Sequence, residues 1–338
     1  MRVIILGNKL SRKHHCIPQF YLNNFGTKQK NGEYTIYIYN KNEGKFFKNS
    51  VSNISYVKDY NTIKIGSKET DEFEKLHNVL FEKNYSKKLS IVIEYIEKFF
   101  KERAFINCLS NEKIAEINKI SLFPKKYKYF LSILLAYFIK RSKKTRYFEE
   151  AVYDKMYDMM SQMYNNLNLD RNKFEKNIYE ELGTKEQIKI GNIISCFNEQ
   201  ELYQLANYLY KHIWNIGYNR SNHLLYTCDS AHALTTIMKD YPKIYGVGYA
   251  SPGSMIMFPL TPRICILMYD PFQLKQDCQN VIDCNYVYLD ENLIKFINEE
   301  ITHEAVDEVY SQNEDWKHLK DFCKKEKIPL GHKPYSIY

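Results

Sequence analysis

The residues best suited to chemistry lie near the N-terminus, in the run Lys13-His14-His15-Cys16-Ile17-Pro18-Gln19-Phe20-Tyr21-Leu22. An imidazole titrates close to neutral pH, so His14 and His15 are candidates for a general base or a metal ligand. Side chains that are neighbours in an extended segment point to opposite sides, so at most one imidazole can face the core. Pro18 disfavours helical geometry in the residue before it and suits a first helical position, which predicts a helix that begins near Gln19.

Three further side chains from later in the chain could join this chemistry. Glu82 lies on a predicted helix, Arg141 opens a basic cluster at 141–146, and Asp229 follows a predicted buried strand. The cluster predicts either a solvated helix end or a face that contacts an anion. An imidazole, two carboxylates and a guanidinium suit acid–base catalysis on a phosphodiester or similar ester, in which Arg141 would stabilise negative charge in the transition state. We therefore expect the histidine motif to pack near Arg141 and Asp229 in a cleft that solvent reaches.

Composition sets the protein class. The chain has 338 residues, of which 44% are hydrophobic and 26% charged, as is ordinary for a soluble globular protein. A net charge of +8 permits a nucleic-acid partner without demanding one, because no long basic run appears. The eight cysteines form no Cys-x-x-Cys pair, which favours reduced thiols over a cysteine zinc site. No apolar window is long enough for a membrane span, so we expect a cytoplasmic protein with no membrane partner.

The patterns along the chain predict an α+β fold. Residues 1–66 should contain a β-hairpin, with one strand at 34–39 and the other at 45–51. Residues 67–220 should form a predominantly helical bundle, because apolar residues recur there at helical spacing. We predict a helix or a helical pair at 70–101, and further helices at 111–121, 125–164, 170–181, 184–195 and 199–217.

The character changes after residue 220. Strands are predicted at 224–230, 255–260, 263–269 and 286–289, with a short helix at 231–240 and a closing helix at 293–310. The expected organisation is thus a single continuous domain over 1–311, with a strand-rich segment at 221–311 and a polar tail at 312–338.

The first motif also carries a resemblance. The segment His14-His15-x-x-Pro18-Gln19-Phe20-Tyr21-Leu22-x-x-Phe25 resembles the opening signature of the bacterial and phage family called domain of unknown function 4238. Later segments are similar to motifs of that family in the same order: Ser52-Asn53-Ile54, Lys58-Asp59-Tyr60, Glu82, Arg141, Thr227-Cys228-Asp229-Ser230 and Phe258-Pro259-Leu260-Thr261-Pro262. The chain departs from the family pattern at Phe138 and Cys228, and it lacks a proline after Asp229. The resemblance implies candidate positions and not a reaction, because the family name carries no established activity.

The sharpest functional hypothesis is a hydrolase, specifically a nuclease that acts on RNA or DNA in a bacterial defence or toxin context. His-His-x-x-Pro is similar to the start of the ββα-metal nuclease motif, in which one residue binds a divalent cation and the next histidine is the base. His14 would then be the ligand and His15 the base. Spacing argues against that specific motif, because about 38 residues separate His15 from Asn53.

A broader version of the hypothesis needs only that the candidate side chains converge. The catalytic candidates are His14, His15, Glu82, Arg141 and Asp229, and the substrate-binding candidates are Gln19, Asn53, Tyr60 and Arg146. A divalent metal ion, held through His14, is the cofactor that this hypothesis allows.

Two alternatives remain open. The histidine motif could cap a helix and satisfy buried backbone groups, and Asp229 could be a helix N-cap. The whole chain could then be a non-catalytic scaffold that binds a protein or a phage component. Other chemistries are less well supported, because His303-Glu304 lacks the second histidine of a zinc-protease helix and Gly246-x-Gly248 lacks the remaining glycines of a phosphate loop.

Overall fold

Helices and strands both contribute to the part of the chain that the structure describes. The structure, a computed structural model, describes residues 10, 12–65, 68–106, 123–166, 183–238, 247–277 and 282–325. The strands are β1 (Lys13–His15), β2 (Thr27–Lys28), β3 (Tyr34–Asn40), β4 (Lys45–Ser50), β5 (Tyr56–Lys58), β6 (Ile63–Ile65), β7 (Lys68–Thr70), β8 (Ile213–Asn219), β9 (Thr227–Cys228), β10 (Ala233–Thr236), β11 (Ser254–Thr261), β12 (Ile264–Tyr269), β13 (Asn285–Leu289) and β14 (Glu308–Ser311). The helices are α1 (Gln19–Leu22), α2 (Glu72–His77), α3 (Lys83–Ile106), α4 (Lys125–Arg141), α5 (Lys143–Asn166), α6 (Lys185–Ser195), α7 (Glu199–Lys211), α8 (Pro271–Asp277), α9 (Glu291–Glu304) and α10 (Lys317–Lys325). The protein is therefore a mixed α/β protein.

A five-stranded sheet organises the core, with strand order β10-β11-β12-β8-β13. All neighbours are antiparallel except β8 and β13, which run parallel. Side chains alternate along β11, so Ile256 and Phe258 belong to one hydrophobic cluster, while Met255 and Met257 belong to a second cluster. The sheet thus has a buried cluster on each of its two faces.

Helices supply the partners of both clusters. Apolar residues of α1, α3 and α4, including Tyr21, Val92 and Leu134, join the cluster that contains Phe258. Residues of α9, including Ile297, join the cluster of Met257, to which Trp316 also belongs. The result is a layered arrangement in which the sheet is covered on each side.

A second sheet joins the two ends of the described chain. Its order is β2-β3-β14-β9, and β4 pairs with β3 at its side. The predicted hairpin is confirmed, since β3 and β4 pair antiparallel through the register Ile38 to Phe47. Strand β14 lies between β3 and β9, and Val309 pairs with Tyr39 on one side and with Cys228 on the other.

The predicted helix at 199–217 is wrong in its second half. The helix α7 ends at Lys211, and the next residue, His212, already has an extended ψ of 155°. Residues 213–219 form the strand β8 between β12 and β13, so tertiary pairing on two sides overrides the helical spacing of Ile213 and Ile216. Gly217 permits this close packing, because a Cβ there would lie 2.6 Å from a methyl carbon of Leu289. The central stretch is therefore not purely helical.

The predicted long helix at 125–164 is two helices. Ser142 interrupts it with φ −66° and ψ 150°. Its side-chain oxygen accepts a hydrogen bond of 3.2 Å from the backbone N–H of Thr145, as an N-cap residue does for the third helical position. The break changes the direction of α5 relative to α4. It therefore determines where the basic residues after Arg141 point.

Smaller differences follow the same logic. Within the predicted helix at 231–240, residues Ala233–Thr236 form the strand β10, and the closing helix ends at Glu304, before the strand β14. The helix α10 lies inside the stretch 312–338, and Trp316 and Leu319 are buried there. The predictions at 111–121 and 170–181 lie outside the described residues. None of the helices in the described ranges combines the length and the apolar character needed to cross a lipid bilayer.

Candidate functional site

The strand β1 holds the two histidines on opposite sides. It pairs antiparallel with β5, with His14 opposite Val57 and His15 opposite Tyr56. His14 is fully buried, whereas His15 is partly exposed. The alternation of a strand therefore separates the two imidazoles, and only His15 is within reach of solvent.

The two imidazoles are held in opposite tautomers. Nδ1 of His14 accepts the backbone N–H of Asn61 at 2.8 Å, since an amide nitrogen can only donate. Nδ1 of His15 donates to the carbonyl oxygen of Ile54 at 3.1 Å, and its Nε2 accepts from the side-chain amide of Gln19 at 2.7 Å. Burial, followed by the charge of Arg141, lowers the pKa of His15, so this ring is neutral and both of its nitrogens are engaged.

The rest of the first motif joins distant segments of the chain through the Tyr21 hydroxyl. The helix α1 begins after Pro18, and the Tyr21 hydroxyl is buried within 2.8 Å of the Thr227 hydroxyl and 2.6 Å of the Pro259 carbonyl oxygen. A carbonyl oxygen at Ala231 lies 3.1 Å away. Three segments that carry the family resemblance, around residues 21, 227 and 259, thus meet at one hydroxyl group.

Arg141 is the centre of a buried ionic cluster. Its Nη1 donates to Glu82 Oε1 at 3.1 Å and to the Tyr137 hydroxyl at 2.6 Å. Its Nη2 donates to both carboxylate oxygens of Glu74, at 3.2 and 3.3 Å. The side chains differ in exposure, at 1% for Arg141, 8% for Glu74 and 23% for Glu82. Glu82 is therefore the member of this ion-paired trio that water reaches most easily.

The local helix geometry brings the two carboxylates to one guanidinium. A π-helix spans Asn78–Glu82, between α2 and α3. In a regular α-helix, Glu74 and Glu82 would point about 80° apart, since eight residues exceed two full turns by that angle. A π turn rotates less per residue, so it reduces this angle, and such turns occur frequently at functional sites.

A second chain of bonds leads away from Arg141 through Tyr137. The Tyr137 hydroxyl accepts from Arg141 and shares a second hydrogen bond of 3.1 Å with Nδ1 of His77. Burial, and then the charge of Arg141, lowers the pKa of His77 well below its usual value, so this ring is neutral. The other ring nitrogen, Nε2 of His77, is buried and has no hydrogen-bond partner among the described residues. Nε of Arg141 is also buried and has no hydrogen-bond partner among the described residues.

Asn61 connects this cluster to the histidine motif. Its side-chain nitrogen donates to Glu74 at 2.7 Å, while its backbone N–H bonds to His14. Arg146 donates to the Asn61 side-chain oxygen at 3.2 Å and to the Tyr60 carbonyl oxygen at 2.6 Å. The guanidinium carbon of Arg146 also lies 3.3 Å from the centre of the Tyr60 ring. His14, Glu82, Arg141, Tyr60 and Arg146 therefore belong to one connected set of contacts.

Asp229 lies in a different set of contacts. Its carboxylate accepts the backbone N–H groups of Val306, Asp307 and Glu308 at 2.8, 2.8 and 3.3 Å. Lys143 lies 4.0 Å from this carboxylate and 2.8 Å from that of Asp307. Burial raises the pKa of Asp229 to about 6. Its bonds hold the turn that leads into β14 and do not reach Arg141.

The remaining candidates have local partners. Asn53 is exposed and accepts from the Lys13 ammonium at 3.2 Å. In the basic cluster, Lys143 bonds to Asp307, Lys144 to Glu304, and Arg146 to the Tyr60 carbonyl oxygen. The basic side chains at 141–146 that these contacts describe thus point at groups of the protein.

A metal ion does not fit the described residues. Nowhere in the described ranges do three or more His, Cys, Asp or Glu side chains meet in a way that could hold one. His14, the predicted ligand, uses Nδ1 to accept the Asn61 amide.

Sequence reasoning missed Glu74, Tyr137, His77 and Asn61. Two signals were present. Tyr137 precedes Arg141 by four residues on one helix, which places both on the same face. By its local sequence Glu74 is an ordinary helix carboxylate, but a buried arginine in an apolar helix requires acidic partners.

Comparison with known proteins identifies the family. A family model described as "Protein of unknown function (DUF4238)" matches residues 13–315, so the chain belongs to that family. Comparison with curated proteins and with solved structures gave no match.

Proposed function

We propose that the protein is a hydrolase of the nuclease class, with Glu82 as its general acid–base and Arg141 as the group that positions it. The proposed substrate is RNA or DNA. The proposed biological role is in bacterial defence or as a toxin. The proposal moves the proton transfer from the histidines to Glu82, because both nitrogens of His15 and Nδ1 of His14 are used in bonds that hold the fold.

The environment of Glu82 carries this proposal. Burial raises the pKa of Glu82 above its usual value of 4.5, and the charge of Arg141 only partly opposes this. A carboxyl group whose pKa is moved toward neutrality can both take up and return a proton, and such groups concentrate at active sites. Its partial exposure allows a substrate to reach it, whereas the more deeply buried Arg141 and Glu74 hold it in place.

The network behind Glu82 is not optimised for stability. A buried ion pair contributes little net stability, because removing both charges from water offsets their attraction. Each buried polar atom without a hydrogen-bond partner costs a further amount, about 1–3 kcal/mol. Arg141 Nε and His77 Nε2 are both in this state among the described residues. Selection for positioning Glu82 explains such an arrangement better than selection for stability does.

The chemical step follows from these roles. The Glu82 carboxylate takes a proton from water as the water oxygen bonds to phosphorus. The bond from phosphorus to the leaving oxygen then breaks, and Glu82 returns the proton to that oxygen. Arg141 stays charged throughout and stabilises the carboxylate form of Glu82.

A pair of matched variants tests the proposal. Glu82→Gln keeps the shape of the side chain and removes its proton transfer, and Glu94→Gln changes an exposed carboxylate on the same helix. Cleavage of labelled single- and double-stranded RNA and DNA is measured with and without added Mg²⁺ or Mn²⁺. We expect Glu82→Gln to lose about 100-fold or more in rate and Glu94→Gln to match the wild type. Equal rates for Glu82→Gln and the wild type, or no cleavage by the wild type, would overturn the proposal.

The second candidate is the non-catalytic interaction module. It is favoured by three apolar side chains near the π-helix, Leu76, Val79 and Leu80, which are 39%, 56% and 50% exposed. Exposed apolar residues that lie together often mark a protein-binding surface. If Glu82→Gln retains the defence or toxic effect that the wild type has in cells, while Val79→Asp abolishes that effect, this second function is the correct one.

A further inference from the structure

A groove with aromatic walls runs beside the Glu82 cluster. It lies between α3 and α4, has a volume of about 500 Å³, and includes Tyr203 of α7 in its wall. Four of the residues that line it are tyrosines, namely Tyr85, Tyr127, Tyr129 and Tyr203. Tyr129 and Tyr203 are 51% and 46% exposed, so their rings face solvent and are not part of the core.

The charge of the groove is positive. Lys88 and Lys126 line it, and no aspartate or glutamate does. Neither lysine makes an ion pair within the part of the chain that the structure describes, unlike the lysines at 143 and 144. The Lys126 ammonium lies 5.1 Å from the centre of the Tyr127 ring, at the edge of the aromatic wall. The groove therefore offers aromatic rings and uncompensated positive charge side by side.

The groove leads to Glu82. Tyr85 follows Glu82 by three residues, which puts both side chains on one face of the helix. The Tyr85 ring packs edge-on against Phe81 at 5.4 Å and against Tyr137 at 6.2 Å, and Tyr137 is the residue that bonds to Arg141. Tyr85, which lines the groove, therefore lies within one helical turn of the proposed acid–base.

We propose that this groove binds a single strand of RNA or DNA, with its bases stacked on the tyrosine rings and its phosphates beside Lys88 and Lys126. Every base has a flat face that can stack on an aromatic ring, but a duplex keeps those faces inside its own stack. An acidic peptide would use the two lysines but would leave the exposed rings of Tyr129 and Tyr203 without a matching partner. The observations therefore favour a single strand. This inference rests on the proposed function, since it names the form of substrate that would reach Glu82.

Binding is measured on the full chain carrying Glu82→Gln, so that cleavage does not consume the probe. The probes are fluorescein-labelled oligothymidylate and oligouridylate, together with a duplex of the same length, and anisotropy is followed at several salt concentrations. We expect the single strands to bind at least ten-fold more tightly than the duplex. We also expect the binding constant to fall steeply as salt is added.

Substitutions inside and outside the groove locate the site. Tyr129→Ala combined with Tyr203→Ala should weaken single-strand binding at least ten-fold, while Tyr208→Ala should leave it unchanged, because Tyr208 is 54% exposed but does not line the groove. Lys88→Gln should reduce the slope of log K against log salt by about one. Thermal melting of each variant confirms that it is folded, and Lys88→Gln is an exposed change that does not remove a packed ring.

The outcomes separate the two proposals. If the wild type binds single strands in the groove but cleaves none of them, the acid–base role of Glu82 is wrong and the groove assignment stands. If the groove variants bind as tightly as Tyr208→Ala, or if the duplex binds as well as the single strand, the groove assignment is wrong, whatever the activity. Binding of a polyglutamate peptide in place of the oligonucleotides would likewise overturn it.

Discussion

The backbone N–H of Asn61 donates a 2.8 Å hydrogen bond to Nδ1 of His14, and both groups are buried. This bond fixes the tautomer of a histidine that the sequence places at the head of the candidate site. It also anchors Asn61, whose side chain holds Glu74 against Arg141. His14 therefore acts on the ionic cluster through the backbone, and we classify it as a positioning residue.

The two histidines should differ in their contribution to stability. His14→Ala leaves a buried N–H without an acceptor and opens a cavity, so we expect it to lower the free energy of unfolding by about 2–4 kcal/mol. His15→Ala should cost about 1 kcal/mol, because His15 and Gln19 are both partly exposed, so water can take the place of the lost ring. Urea unfolding of both variants checks this order. Equal losses would show that the burial of His14 does not matter to the fold.

Arg141 should be hard to replace. Arg141→Met leaves Glu74 and Glu82 without their cation, and breaking a buried pair in this way costs about 3–5 kcal/mol. Arg141→Lys keeps the charge but cannot bond to Glu74, Glu82 and Tyr137 at once, so an intermediate loss is expected. Arg12→Ala, which removes an exposed bridge to Asp59, is the control and should change the melting temperature little. A stability of Arg141→Met equal to that of the control would contradict the cluster.

Tyr21 tests whether the family signature is structural. Tyr21→Phe keeps the ring and removes the hydroxyl, which leaves the Thr227 hydroxyl and the Pro259 carbonyl oxygen without this partner in the core. We expect a loss of about 1–3 kcal/mol in the free energy of unfolding and no change in the rate of cleavage per folded molecule. A Tyr21→Phe variant that keeps its stability but loses cleavage activity would show that the Tyr21 hydroxyl takes part in the reaction.

The hairpins of this fold could be predicted from sequence because their signal is local. Tyr34 to Asn40 alternates β-branched and aromatic residues, and a turn with Gly44 follows, so the pairing partner is the next segment along the chain. The pair at 254–269 is likewise confirmed, with strands β11 and β12 on either side of a tight turn. Local propensity and tertiary structure agree in both cases.

The errors occurred where long-range contacts decide the structure. Ile213 and Ile216 continue the helical spacing of Leu209, and only pairing with β12 and β13 makes them a strand. The role of Glu74 could not be read from its neighbours either, because its cation lies 67 residues away in sequence. The local rules contain no information about which of several helix carboxylates will face a distant arginine. The same limit applies to Asp229, whose partners lie 77 to 79 residues later.

The stability of the fold should depend on pH through Glu82. Because burial raises its pKa above 4.5, the folded chain holds this proton more tightly than the unfolded chain does. The stability that the proton contributes is complete below the unfolded pKa and is lost as the pH rises through the raised folded value. The melting temperature of Glu82→Gln relative to that of the wild type should therefore rise as the pH increases above about 4.5. Glu94→Gln reports the effect of removing an exposed carboxylate, and an equal pH trend in both variants would count against a desolvated Glu82.

Asp229 should prove to be a structural residue. Asp229→Ala leaves three backbone N–H groups unpaired in the interior, so we expect it to cost about 3 kcal/mol or more. Asp229→Asn keeps one acceptor and abolishes the titration. Because burial raises the pKa of Asp229 from 3.8 to about 6, the wild type should lose stability relative to Asp229→Asn as the pH rises through that value.

A structural role and a catalytic role of Asp229 predict different cleavage rates for Asp229→Asn. If the residue only holds the turn at 306–308, Asp229→Asn cleaves at the wild-type rate once rates are normalised to the folded fraction. If instead Asp229→Asn melts at the wild-type temperature at pH values near 4 but cleaves nothing, the carboxylate takes part in the reaction. The site would then extend from Glu82 to Asp229, as the sequence hypothesis places it.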